Sequence, residues 1–344
     1  MRTRFLFTVF SLAFLLNTAF SDTTHILFIG NSYTHVNDLP LLFKNLSVSG
    51  GRTVNTGMSA PGGYTLEGHT QLQETLDKIA LRQWQYVVLQ EQSQYPTIAY
   101  YRYGSMYPAA FKLDSIIRSY NSHTMFYMTW GRKYGGQQCI SGNCSPVFRD
   151  YFHMQDSLAS AYTEISSQLG AALAPVGSAW RRARQLDSTI ALWDTDLSHP
   201  TLKGSYLAAC VFYAKIFQSS PVGLSYTAGL PVNEALWLQQ VAADAALGLI
   251  SVNQEIPREF NLYQNYPNPF NPVTNIMFAM PFAGNAELKI YDITGKEIAA
   301  PVNAHLSAGT YSLSFDASAL SSGIYIYKLT SGSFAESKKM VLIK

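Results

Sequence analysis

Short apolar runs and longer amphipathic runs alternate along residues 25–220. The first pair is the strand-like run 26–29, followed by apolar residues at helical spacing, Leu39, Leu42 and Leu46. Such alternation of strand and helix patterns predicts a parallel sheet with helices on both faces and right-handed crossovers.

The other elements of this region follow from the same pattern. Strands are predicted near 52–58 and at 86–90, 123–130 and 171–176, and helices over 66–84, 107–120 and 148–169. The fold class expected for residues 22–250 is therefore α/β, a three-layer, doubly wound parallel sheet whose polar strand ends share one rim.

The pattern changes after residue 250. A polar stretch, 251–259, reads as a linker, and short alternating runs follow at 288–291, 311–315 and 324–329. Turn-forming residues separate these runs, so residues 260–344 are predicted to form a small antiparallel, immunoglobulin-like β-sandwich.

The amino terminus has the features of an export signal. Arg2 and Arg4 precede an apolar core, 5–16, that is too short to span a membrane, and a small-x-small site ends at Ser21. Residues 1–21 are therefore interpreted as a signal peptide, with a buried helix as the alternative. No later run is long enough to span a bilayer, so no transmembrane anchor is expected.

Composition narrows the choice of partners. A net charge of +2 with 13% charged residues gives no basic footprint for nucleic acid, and no nucleic-acid partner is expected.

Cys139 and Cys144 bracket a short loop and could pair in an oxidising compartment, whereas Cys210 reads as a buried thiol. No cysteine or histidine group has metal-binding spacing, so neither a metal nor a cofactor is expected.

Ser32 follows the first predicted strand and precedes a helix, which is where open α/β sheets bind ligands. A tight Gly-Asn-Ser turn is the simpler alternative. A hydrolytic serine needs a base and a carboxylate that orients the base. Asp196 and His199 offer both from one predicted loop.

Residues 25–220 resemble the SGNH/GDSL hydrolases. The first and last sequence blocks of that family correspond to Gly30, Asn31 and Ser32 and to Asp196, His199, Pro200 and Gly204. The resemblance implies that Ser32 is the nucleophile, that His199 is the general base and that Asp196 orients it. It also places Asn31 beside the substrate.

The two middle blocks of the family match less closely. Gly63 corresponds to the glycine whose N–H helps to bind the oxyanion, together with the N–H of Ser32. The third block usually supplies an asparagine, but this chain has glutamines there. Alignment of the strands favours Gln94, then Gln92, then Gln90, because a glutamine amide can donate the same hydrogen bond.

Trp130 ends the fourth predicted strand and Arg132 follows it, and each has two possible roles. Trp130 and Arg132 either line an acyl or sugar pocket, or Trp130 packs in the core while Arg132 forms a salt bridge at the rim. His35 and His69 are scattered along the chain and fit surface or core positions better than a metal site.

Residues 260–344 resemble the type A carboxyl-terminal sorting domain of the type IX secretion system. The matching features are the motif YPNPFNP at 266–272, the strand and turn IYDITGKEI, and the basic and apolar end at 338–344. The resemblance implies that the type IX machinery is a partner and that the protein is secreted or held at the cell surface. An ordinary adhesion module is the alternative.

The chain is thus expected to be a secreted serine esterase that hydrolyses carboxylic esters, such as acetyl or other short acyl groups on carbohydrate, through an acyl-serine. The absence of G-x-S-x-G argues against an α/β-hydrolase elbow. Two alternatives use the same fold: a non-catalytic surface protein that binds glycan, and an acyltransferase with a sugar acceptor.

Overall fold

A computed structural model describes residues 23–253, 257–306 and 308–344. The predicted signal peptide, residues 1–21, lies outside the described residues. Among the helices of the described ranges, none has the length and apolar character needed to cross a bilayer.

Within the described residues, seven strands precede the last helices of the first region. In chain order they are β1 (Thr24–Ile29), β2 (Val54–Ser59), β3 (Tyr86–Leu89), β4 (Thr124–Tyr127), β5 (Gly136–Ile140), β6 (Asn143–Phe148) and β7 (Ala172–Ala174). Five of them form a parallel sheet in the order β2-β1-β3-β4-β7, which is the flavodoxin-like order. The remaining two pair as an antiparallel hairpin, β5-β6.

Helices cover both faces of the parallel sheet. They are α1 (Ser32–His35), α2 (Leu39–Ser49), α3 (Leu66–His69), α4 (Gln73–Ala80), α5 (Ala99–Tyr101), α6 (Tyr107–Ser119), α7 (Tyr151–Leu169), α8 (Val176–Leu186), α9 (Leu202–Phe217) and α10 (Val232–Leu247). One hydrophobic cluster packs α2, α8, α9 and α10 against one face, and a second packs α3, α4, α6 and α7 against the other. The predicted three-layer arrangement is confirmed.

Strand β1 shows why the layers form. Ile26 and Phe28 point to one cluster, and Leu27 and Ile29 point to the other, all four side chains being fully buried. A strand that is apolar on both faces is stable only between two layers, because each face removes apolar surface from water.

One predicted helix is interrupted. The pattern over 66–84 predicts a continuous helix, but α3 ends at His69 and α4 begins at Gln73. The His69 ring is buried, and its two nitrogens contact the Gly30 carbonyl at 2.7 Å and the Thr75 hydroxyl at 2.8 Å. These two contacts hold the short α3 against the end of β1 and the start of α4.

The second difference is the β5-β6 hairpin, which the sequence pattern does not predict. Phe148, expected in the helix that ends at Leu169, belongs instead to β6, and that helix begins after Asp150. The Asp150 carboxylate caps it by accepting a hydrogen bond from the His153 N–H at 2.8 Å. Cys139 and Cys144 form a disulfide across the hairpin.

The carboxyl-terminal region is a sandwich of two four-stranded antiparallel sheets. Its strands are β8 (Leu249–Asn253), β9 (Asn261–Leu262), β10 (Val273–Met280), β11 (Gly284–Asp292), β12 (Glu297–Leu306), β13 (Gly309–Asp316), β14 (Gly323–Ser331) and β15 (Phe334–Leu342). The sheet orders are β8-β13-β10-β9 and β12-β11-β14-β15. The expected fold class, an α/β domain followed by a small β-sandwich, is confirmed. Because β8 pairs with β13, the predicted linker 251–259 begins with strand residues.

Candidate active site

The candidate site lies at the carboxyl end of β1. The chain places β2 on one side of β1 and β3 on the other, so the strand order changes direction at this point. Gly30 follows the strand, and a Cβ there would collide with the side chains of Gln90 and Thr34. Asn31 then caps α1, its Oδ1 accepting from the Tyr33 N–H at 3.1 Å. Ser32 is therefore placed at the start of a helix, and its hydroxyl faces the crevice outside the sheet.

Ser32, His199 and Asp196 come together in one hydrogen-bonded array. The Ser32 Oγ lies 2.7 Å from the His199 Nε2, and the other ring nitrogen, Nδ1, is hydrogen-bonded to the Asp196 Oδ2. These are the contacts that a general base needs in order to remove a serine proton while a carboxylate fixes its tautomer.

The loop that carries Asp196 and His199 is held by its own backbone. The Asp196 Oδ1 accepts from the Ser198 N–H at 3.0 Å and from the His199 N–H at 2.9 Å. Leu197 between them has a φ of 62°, which is unusual for a residue with a side chain. Desolvation acts to raise the pKa of Asp196, but hydrogen bonds from His199 and Ser198 outweigh it and leave the pKa lowered. Asp196 is therefore an anion at neutral pH.

Stacked aromatic rings support the array of Ser32, His199 and Asp196. The Tyr33 ring stacks on the Trp130 ring with centroids 4.7 Å apart, and Trp130 stacks on Trp180 at 3.9 Å. The Trp130 indole N–H also donates to the Ser198 carbonyl at 2.9 Å. Trp130 is only 1% exposed, so it is a core residue that positions the His199 loop rather than a residue of the pocket surface.

Gly63 lies across the crevice from this array. It has a φ of 72° in a turn closed by the Tyr64 N–H and the Pro61 carbonyl, a backbone conformation that favours glycine. The side chain of Asn31 ties the turn to the nucleophile, because its Nδ2 donates to the Tyr64 carbonyl at 2.8 Å.

The three candidate glutamines have different surroundings. Gln90 is fully buried and accepts from the Asn31 N–H at 2.9 Å, so it supports the backbone beside Ser32. Gln94 donates from Nε2 to the Gln138 Oε1 on the hairpin at 3.1 Å. Gln92 lines the cavity that also contains Ser32. Its Oε1 accepts from the Gln94 N–H at 2.7 Å and from the Tyr95 N–H at 3.3 Å, which fixes the amide plane.

Glu91, which sequence reasoning did not single out, is buried between these glutamines. Its Oε1 accepts from the Leu66 N–H at 3.1 Å and the Gln92 N–H at 2.6 Å, whereas its Oε2 is buried without a hydrogen-bond partner. Burial raises the pKa of Glu91 to about 8. The Glu91 carboxyl group joins the start of α3 to the glutamine segment.

A cavity of about 290 Å³ connects these groups. It is lined by Asn31, Ser32, Tyr33, Gly63, Gln92, Ser93, Arg132, Asp196, Ser198 and His199. Arg132 thus faces the cavity, and the salt bridge considered for it does not occur among the described residues. Tyr33, Ser93 and Ser198 were not anticipated, although each is a direct sequence neighbour of an anticipated residue.

The two remaining histidines have structural surroundings. His69 is buried as described, and burial lowers its pKa. His35 is exposed and contacts the Ala60 carbonyl through Nδ1 at 2.7 Å. Within the residues that the structure describes, no group of three or more histidine, cysteine, aspartate or glutamate side chains is arranged to hold a metal ion.

Comparison with protein families identifies the carboxyl-terminal region. Residues 264–344 match the family model of the secretion system C-terminal sorting domain. This agrees with the type IX sorting domain expected from the sequence, and it marks the protein as secreted or associated with the outer membrane. No curated protein matches the chain.

Solved structures resemble the α/β region. A DUF4886 family protein from Bacteroides uniformis is 20% identical, with a TM-score of 0.55, over 66% of this chain and 95% of that chain. A proposed SGNH hydrolase from Slackia heliotrinireducens is 25% identical, with a TM-score of 0.45, over 56% and 97%. A variant of an acetyl xylan esterase from Geobacillus stearothermophilus is 15% identical, with a TM-score of 0.39, over 59% and 96%. The chain thus joins an α/β region with the fold of the Bacteroides uniformis protein to a carboxyl-terminal segment, residues 264–344, that matches the secretion system C-terminal sorting domain.

Proposed function

We propose that this protein is a secreted serine esterase of the SGNH/GDSL type that hydrolyses carboxylic esters. The observation that carries the proposal is the continuous array from Ser32 through His199 to Asp196, with 2.7 Å between the serine oxygen and the imidazole nitrogen. A surface or binding protein has no need for all three groups in this geometry.

In the proposed reaction, His199 removes the Ser32 proton as the serine oxygen attacks the ester carbonyl. The tetrahedral intermediate collapses, the alcohol leaves with the proton from His199, and an acyl-serine remains. Water, deprotonated by His199, then attacks the acyl-serine. The second tetrahedral intermediate collapses, the carboxylic acid leaves, and Ser32 takes the proton back from His199. Asp196 orients the ring and stabilises the imidazolium in both halves of the reaction.

Three donors are assigned to the oxyanion: the N–H of Ser32, the N–H of Gly63 and the side-chain amide of Gln92. Gln92 is preferred to Gln94 because it lines the cavity together with Ser32 and Gly63, which Gln94 does not. The Gln92 Nε2 donates one hydrogen bond to the Gln94 Oε1 at 3.3 Å, and its second N–H is assigned to the oxyanion. The fixed Gln92 amide plane supports this role, because a preorganised donor needs no rearrangement when negative charge develops.

The cavity favours small acyl groups. Its volume of about 290 Å³ must hold the acyl group and part of the alcohol, and it is lined mainly by polar side chains. Acetyl and other short acyl esters of carbohydrate fit this volume and polarity better than long-chain lipid esters. Secretion, which the sorting domain implies, would bring the enzyme to such external polymers.

The test is covalent labelling of the purified mature protein with a fluorophosphonate probe, followed by peptide mapping. Probe on Ser32 that disappears in Ser32→Ala and His199→Ala, but not in the exposed control Ser115→Ala, is the expected result. Turnover of 4-nitrophenyl acetate should likewise be lost in Ser32→Ala and His199→Ala and retained in Ser115→Ala. Absence of labelling in folded protein would contradict the proposal and favour glycan binding, and products formed only with a sugar acceptor would favour acyl transfer.

A further inference from the structure

Arg132 sits on an unusually well-fixed backbone beside the candidate nucleophile. The preceding Gly131 donates its N–H to the Gln155 Oε1 at 3.0 Å, and its carbonyl accepts from the Trp193 indole N–H at 3.0 Å. The Arg132 N–H lies 3.2 Å from the Met154 Sδ. These contacts, two of them buried, hold the start of the arginine side chain at the cavity wall.

The guanidinium has a hydroxyl partner but no carboxylate partner. Its Nη2 donates to the Ser93 Oγ at 3.3 Å, and no described carboxylate lies within 4.0 Å of it. Asp196, the carboxylate that lines the cavity, is already bound by His199 and two backbone N–H groups. The cavity therefore contains a positive charge that the protein does not neutralise by an ion pair.

The surroundings of Arg132 suit an anion. The cavity wall near it carries the hydroxyl groups of Tyr33, Ser93 and Ser198. Burial raises the pKa of the Tyr33 hydroxyl, while the positive charge of Arg132 acts in the opposite direction. This hydroxyl shares a hydrogen bond with the Ser198 Oγ at 2.6 Å. A guanidinium next to hydroxyl donors binds a planar carboxylate by two parallel hydrogen bonds.

We propose that Arg132 is a substrate-binding residue that selects esters carrying a carboxylate. The inference rests on the proposed function, because it concerns the substrate of the same serine. The carboxylate can lie on either side of the scissile ester. It is either the far end of a dicarboxylic half-ester acyl group, or the uronic acid group of the sugar that bears the acyl group.

The test compares two matched pairs of esters. One pair is an acetylated methyl glucuronoside and the corresponding acetylated methyl glucoside, which differ in a sugar carboxylate. The other is monomethyl succinate and methyl succinamate, which differ in an acyl carboxylate. kcat/KM is measured for the wild type, Arg132→Gln and Arg132→Lys, with Lys133→Gln as the control, because Lys133 is the adjacent cation and does not line the cavity.

We expect one carboxylate ester to react about 30-fold faster than its neutral partner, the size of a charge-assisted hydrogen-bond pair. The pair that shows the difference identifies the source of the carboxylate. Arg132→Gln should abolish the difference while the neutral ester changes by less than about threefold, since uniform binding is lost and the chemistry is retained. Arg132→Lys should keep part of the preference, and Lys133→Gln should keep all of it.

Equal rates within both pairs would overturn the inference. An equal fall for charged and neutral esters in Arg132→Gln would also overturn it, because the guanidinium would then act on the reacting carbonyl. If the wild type hydrolyses none of the esters, calorimetric titration of Ser32→Ala with the same esters decides separately. If Ser32→Ala binds a carboxylate ester more tightly than its neutral partner, and Arg132→Gln removes this difference, the inference holds although the proposed function fails. Equal binding of the charged and neutral esters overturns the inference.

Discussion

The Tyr33 hydroxyl oxygen lies 2.6 Å from the Ser198 Oγ, and both side chains are buried. Tyr33 is the sequence neighbour of Ser32, and Ser198 is the sequence neighbour of His199. One hydrogen bond thus joins the segment that carries the candidate nucleophile to the segment that carries the candidate base. Its effect on function can be separated from its effect on stability.

Tyr33→Phe should lower kcat by about tenfold with little change in KM. The ring still stacks on Trp130, but the hydrogen bond between Tyr33 and Ser198 is lost, and misplacement of a base by a fraction of an ångström slows proton transfer. Tyr107→Phe is the control, because the Tyr107 hydroxyl bonds to the Ala161 carbonyl and to Glu164 at 2.9 Å, away from the cavity. Both variants should lose about 1 kcal/mol of stability. An equal fall in kcat in both would contradict a positioning role for Tyr33.

Gln92→Ala should lower kcat by about 100-fold or more while KM changes little, as expected for an oxyanion donor. Gln94→Ala should have a smaller effect, below about tenfold, because that side chain supports Gln92 and the hairpin rather than the cavity. Steady-state kinetics on 4-nitrophenyl acetate measures both. A larger fall in kcat for Gln94→Ala than for Gln92→Ala would mean that Gln94, not Gln92, is the oxyanion donor.

Gly63→Ala should lower activity, whereas Gly62→Ala should not. A Cβ at either glycine meets no atom within 4 Å, so the two substitutions are equally free of collisions. Only Gly63 has a positive φ, 72°, and an alanine there costs about 1 kcal/mol or shifts the turn. Activity assays and thermal unfolding of the pair test this. Equal behaviour of the two variants would show that the backbone conformation at Gly63 is not required.

The buried Glu91 makes stability depend on pH. Burial raises its pKa from the ordinary 4.5 to about 8, so between those pH values the folded protein holds a proton that the unfolded chain has released. The free energy of unfolding therefore decreases as pH rises from about 4.5 to about 8. Glu91→Gln should make this decrease shallower.

Urea unfolding at pH 6 and pH 8 measures the Glu91 contribution. This interval is chosen because the other buried carboxyl group with a raised pKa, Asp244, has a pKa of about 6 and contributes mainly below it. Asp77→Asn, which removes an exposed carboxylate, is the control and should keep the wild-type pH dependence. An unchanged slope in Glu91→Gln would mean that Glu91 is ionised in the folded protein.

The sequence was sufficient for the parallel sheet and for the meeting of Ser32, Asp196 and His199. Strands such as β1 are apolar on both faces, and this pattern is hard to produce in any other layered fold. Ser32 and Gly63 follow strands of this sheet, and residues at the carboxyl ends of parallel strands share one rim. Asp196 and His199 lie between α8 and α9, so their approach to Ser32 was expected from the resemblance to the SGNH/GDSL hydrolases and not from strand topology.

The sequence was not sufficient for features that depend on local geometry. In strand β5 the one buried position is Gln138, so burial does not follow an alternation of apolar and polar residues that the sequence could show. The choice among Gln90, Gln92 and Gln94 depends on where the chain turns after β3, because a shift of one residue redirects every side chain. The roles of Tyr33 and Glu91 arise from contacts with distant residues that no short pattern encodes.

The hydrogen bond between Ser32 and His199 spans 167 positions of the chain. Contacts of such long range form late, because the intervening strands and helices must assemble before the two ends of the sheet region meet. A chain that has not finished folding therefore carries a serine of ordinary reactivity. For a protein with a sorting domain, the proposed hydrolysis would therefore begin only where the folded domain is completed, and not on the intermediates that precede it.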